Sequence, residues 1–98
     1  MEEYKKDLAP YEKIILDKER KAEIRIYDGD EDPNILNRKR IGIYLFVDNK
    51  FISSQWIECG KYVKNTLINN PRMTREKKKR LTNEYIELMK ATWSEMNK

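Results

Sequence analysis

Six cations crowd into nine residues at Arg72, Arg75, Lys77, Lys78, Lys79 and Arg80, offset there only by Glu76. Lysine and arginine in such density neutralise phosphate and release its condensed counterions, so the run suits a polyanion. It lies at the start of an expected helix, where the peptide dipole disfavours positive charge. The competing reading is a solvated turn of a Lys-rich helix.

A second group lies on one expected strand. Tyr44 and Phe46 alternate along it, flanked by Arg38, Lys39, Arg40 and Lys50. Exposed aromatic rings with adjacent cations form a platform for single-stranded nucleic acid. Each stacked base adds about 1–3 kcal/mol. Gly42 would allow close approach to the main chain. The competing expectation is that one of these rings packs beneath the final helix.

Two acidic arrangements are weaker. Asp28-Gly29-Asp30-Glu31-Asp32 starts like a calcium loop, but Pro33 and Lys39 stand where that loop needs glycine and glutamate. It reads as an acidic surface segment, and no metal site is expected. Asp48-x-Lys50, with Asp28 or Asp30, has the residue types of a magnesium-dependent nuclease, but Asp-Asn-Lys is also an ordinary hairpin turn.

The chain has no histidine and one cysteine, Cys59. Nucleophile–histidine pairs and histidine-ligated metals are therefore excluded. Cys59 reads as a small buried hydrophobe. A non-enzymatic role with no cofactor is the expectation.

The elements that would position these groups follow from periodicity. Residues 1–9 suit a short helix. Tyr11–Leu16 and Ala22–Tyr27 suit two strands joined through the charged stretch 17–21, the second alternating cleanly between apolar and polar. A single helix from Pro10 to about Glu23 is the alternative. Residues 28–37 read as a loop. Residues 38–47 carry apolar residues on both faces and suit a central strand. Asp48-Asn49 turns the chain into a partner strand over 51–57, although Ser53 or Ser54 could instead cap a helix. Cys59, Val63 and Leu67 at four-residue spacing predict a helix over 58–69. Thr74 is the expected N-cap of a longer helix over 74–96, with Leu81, Tyr85, Leu88, Met89, Trp93 and Met96 on one stripe. The expected fold is α+β: an antiparallel sheet of three to four strands (11–16, 22–28, 38–47, 51–57) followed by two C-terminal helices (58–69, 74–96).

Ninety-eight residues with no linker or repeat point to one domain. Hydrophobic and charged residues each make up 39% of the chain, and the apolar ones fall in periodic runs, which argues against disorder. The net charge of +4 is unevenly spread. Residues 1–35 hold 7 Lys/Arg against 11 Asp/Glu, whereas residues 36–98 hold 14 against 6. Such polarity governs encounter with charged partners. No secretory signal is expected at the opening Met-Glu-Glu-Tyr-Lys-Lys-Asp, and no apolar run is long enough to span a bilayer. A lone cysteine suits a reducing, intracellular (cytoplasmic) setting.

The expected function is a small basic binding protein whose target is nucleic acid, or a nucleic-acid-handling complex, held by the strand and helix cations. The alternative is a protein-binding inhibitor or adaptor facing an acidic protein surface, such as a phage-type antagonist of a host defence nuclease. A metal-dependent nuclease is the minor alternative. The apolar stripe of the last helix would serve a core contact or a homodimer seam.

Overall fold

The computed structural model describes residues 12–32, 35–64 and 66–98. Five strands follow one another: β1 (Glu12–Asp17), β2 (Ala22–Asp32), β3 (Ile35–Val47), β4 (Lys50–Val63) and β5 (Thr66–Asn69). One helix, α1 (Arg75–Met96), closes the chain. The spatial order of the strands is their sequence order, every neighbouring pair is antiparallel, and the sheet curls into a half-barrel.

The turns explain the meander. Asp48 and Asn49 both have positive φ (52° and 64°), the geometry that lets a two-residue turn match the twist of its strands. Lys21 and Lys64 adopt positive φ in the β1–β2 and β4–β5 turns. The first two hairpins are latched together, because the Asp48 N–H donates to the Lys21 carbonyl at 3.0 Å.

Alternation along the strands divides the sheet into two apolar faces. On one, Ile24, Ile26, Ile41, Ile43, Leu45 and Ile57 are buried with Met89 of α1. Each such side chain withdrawn from water stabilises by about 1.5–3 kcal/mol. On the other, Tyr27, Tyr44 and Phe46 form a separate buried cluster against Trp56. Packing on both faces is why β3, the middle strand, is apolar at nearly every position from Ile41 to Val47.

Helix α1 starts as its sequence suggests. Thr74 caps it, its hydroxyl accepting from the Lys77 N–H at 3.1 Å. The inward stripe of Leu81, Tyr85, Ile86, Met89 and Trp93 packs on β2, β3 and β4. Arg20 donates to the Asn97 side-chain oxygen, fastening the helix end to the β1–β2 turn.

Three expectations are corrected. The sheet has five strands rather than three to four, and among the described residues there is one helix rather than two. Segment 58–69 is not helical: it is the end of β4, a turn at Lys64, and β5. Spacing by four satisfies a helix, but it is also a multiple of the strand period of two, so Cys59 and Val63 fit either. The loop placed at 28–37 is largely strand, since β2 runs to Asp32 and β3 begins at Ile35, the two residues being register partners. The helix over 1–9, Tyr11, Pro33 and Asn34 lie outside the described residues. No cap forms at Ser53 or Ser54, both of which belong to β4.

Candidate nucleic-acid interface

The strand cations and the helix cations have different fates. Arg38 Nη1 donates to both carboxylate oxygens of Glu58, at 2.6 and 2.7 Å. Arg40 shares the same carboxylate at 3.7 Å and lies over the Trp56 ring, 5.0 Å from its centre. The β2–β3 register also sets Asp30 across from Arg40. Glu58 thus serves both arginines, and Arg40 belongs to the aromatic face that α1 leaves uncovered. Lys39, between them, is half-buried.

Tyr44 and Phe46 are 3% and 1% exposed, so neither offers a ring face to a base. They do not pack beneath the helix either. Tyr44 meets Tyr27 and Trp56 edge-on, with centroids 5.3 and 5.4 Å apart, on the opposite side of the sheet from Met89. Lys50 is exposed beside the Asp48-Asn49 turn and pairs with Val47, about 30 Å of extended strand from Arg38 at roughly 3.3 Å per residue.

The six cations of 72–80 behave otherwise. Among the described residues none of them enters an ion pair, whereas Lys13, Arg25, Arg38, Arg40, Lys90 and Lys98 all do. Arg72, Arg75, Lys79 and Arg80 are exposed; Lys77 and Lys78 are half-buried. Helical phase gives them direction. Counting back from the buried Met89 by helical turns reaches Thr82, Lys78 and Arg75, so the stripe that faces the sheet turns from apolar to cationic as α1 reaches its start. Arg75, Lys78 and Lys79 line an open groove of about 330 Å3 with Ile41, Thr82 and Glu12. The helix carries cations in its first two turns and no basic residue in its last turn, the reverse of what its dipole favours.

Sequence reasoning missed this groove. It named the cations but not Ile41, Thr82 or Glu12, and it did not extend the helical stripe backward to see that Arg75 and Lys78 fall on the inward side. Lys61 adds charge near the same end, lining a groove with Asn70 and Pro71 and being the register partner of Arg38. Of the twelve residues proposed from sequence, the structure brings those of α1 together with Arg72 at one end, pairs Arg38 and Arg40 with Glu58, leaves Lys39 half-buried between them, buries Tyr44 and Phe46, and sets Lys50 apart.

The residue types of a nuclease core are not gathered. Asp48 neighbours Lys21, while Asp28 pairs with Ile41 further along the sheet, about 20 Å away by strand rise. Among the described residues no group of His, Cys, Asp or Glu could hold a metal ion. Among them, too, no helix is long and apolar enough to cross a membrane. Compared with family models, with curated proteins and with solved structures, the chain finds no match in any of the three.

Proposed function

We propose that this chain is a non-enzymatic nucleic-acid-binding protein that uses the basic start of α1 and the adjoining Arg72 as its contact surface. The observation that supports this reading is the set of six cations with no ion pair among the described residues, five of them on helical turns whose dipole opposes them. An anion resolves both penalties together, because phosphate neutralises the side chains and is favoured by the helix start. Thr74, Thr82 and Asn83 supply polar groups beside the cations.

A titration of labelled nucleic acid against salt tests the proposal. Affinity falls steeply between about 50 and 200 mM salt if several phosphates are neutralised. Replacing Arg75, Lys78 and Lys79 with alanine weakens binding at least tenfold, whereas Lys50→Ala leaves it unchanged. Absence of binding at low salt rejects the reading.

A second reading, a protein-binding inhibitor or adaptor, is favoured by one observation. Val63 and Ile68 on the β4–β5 hairpin are 43% and 47% exposed, and Lys61 and Lys64 lie beside Val63. Apolar anchors next to cations suit an acidic protein surface better than a nucleic-acid backbone. Under this reading a purified partner stays bound after nuclease treatment, and Ile68→Ser releases it.

A further inference from the structure

We infer that the basic end reads phosphates rather than bases, so that it prefers duplex over single strand and is indifferent to sequence. The inference rests on the nucleic-acid reading above and specifies the form of the ligand. A single strand is favoured over a duplex where bases can stack on exposed rings. The rings best placed for that on this sheet, Tyr27, Tyr44 and Phe46, are 4%, 3% and 1% exposed, and they lie on the face opposite α1. Trp56 is half-buried under the Arg40 guanidinium. Phe51 is the most open ring of that cluster at 36%, but it stands at the Lys50 end of β4, remote from α1's start. Tyr62, toward the basic end, is itself half-buried. Around the cations the groove offers instead a hydroxyl from Thr82, an amide from Asn83 and the aliphatic Ile41. Those groups hydrogen-bond to backbone oxygens or pack against sugar, and none presents a flat ring.

With no exposed ring beside the cations among the described residues, charge density decides. A duplex presents one phosphate charge per about 1.7 Å, and its counterion release per contact exceeds that of a strand, at slopes near −0.9 against −0.7 per phosphate. Three cations in the groove and three beside it set the number of contacts between three and six, which gives a duplex salt slope between about −3 and −5.

The experiment compares three ligands of equal total phosphate number with the intact protein at two salt concentrations: a duplex, a single strand twice as long as either strand of that duplex, and a base-free strand of that same doubled length with abasic sugars throughout. The expected result is a duplex bound at least threefold tighter than the strand, with base-bearing and base-free strands bound alike within twofold. A base-bearing strand bound tenfold tighter than its base-free counterpart, or as tightly as the duplex, overturns the inference while leaving nucleic-acid binding intact. Failure of all three to bind at low salt removes the functional reading and this inference with it.

Discussion

The Arg25 guanidinium lies over the ring of Phe46, 4.1 Å from its centre, and closes one side of the aromatic cluster. Arg25 also donates to Glu23 and, at 2.9 Å, to the side-chain oxygen of Asn49. A cation on a sheet face is thereby used to shield a buried ring rather than to greet a ligand. Phe46→Ala should cost about 3–5 kcal/mol, because a fully buried ring leaves a cavity that a sheet cannot collapse. Phe51→Ala, from the same cluster but 36% exposed, should cost less than half as much. Urea denaturation of both variants measures the difference, and equal losses would show that the aromatic face is not a second core.

Helical phase can be tested on two adjacent residues. Met89 is fully buried against the sheet, and Leu88 is 44% exposed. Met89→Ala should destabilise by about 2–5 kcal/mol. Leu88→Ala should stay near the small cost typical of surface positions, about 0.5 kcal/mol. Thermal melts distinguish them; a reversed order would mean the helix is rotated from the phase that puts Lys78 over the sheet.

Gly60 is required by a close approach. A Cβ there would sit 2.6 Å from the Ile68 carbonyl oxygen, which belongs to the backbone of β5 and has little room to yield. Gly60→Ala should therefore push β5 away and cost about 1–3 kcal/mol. Faster amide exchange confined to Thr66–Asn69 is the specific signature to look for.

The N-cap hydroxyl of Thr74 is the only side-chain bond to the helix's first amides among the described residues. Thr74→Ala should lower stability by about 1 kcal/mol. The same substitution should weaken nucleic-acid binding through fraying of the turn that carries Arg75, and Thr74→Ser should restore both.

Arg38 and Glu58 form an ion pair in which one guanidinium nitrogen, Nη1, donates to both carboxylate oxygens, yet their side chains are 42% and 46% exposed. Solvent screening limits such pairs to about 0.2–1 kcal/mol. A double-mutant cycle should return a coupling in that range that shrinks in 1 M salt. Coupling much above it would mean that Arg38 is held for a purpose other than surface pairing.

How much of this was legible from the chain depended on periodicity and one capping residue. The alternation of Ala22, Ile24 and Ile26 and the two-sided apolar run after Arg40 placed β2 and β3, and Thr74 marked the final helix. The stretch 58–69 misled because a four-residue spacing fits both a strand and a helix, and only pairing of Tyr62 with Leu67 across the hairpin settles it. The β2 and β3 ends were hidden because Asp28–Asp32 lacks apolar alternation, and its strand character comes from pairing with β3. At the site, charge was visible but partnership was not. No local rule reveals that Glu58 neutralises Arg38 and Arg40, since that contact depends on the β3–β4 register. Nor does an alternating Tyr-x-Phe pattern tell which face of a sheet a helix will cover.

Chain-order pairing of the strands bears on how the molecule assembles. Each hairpin closes a short loop, so β1 to β5 can zip from neighbour to neighbour with little entropy lost at each closure. Docking of α1 is different, since Asn97 must find Arg20 across 77 residues of sequence. On contact range alone, the sheet is expected to form before the helix end is fastened, an order that φ-value analysis would check. Until α1 docks, the Ile-rich surface of the sheet stays open to water or to another apolar face.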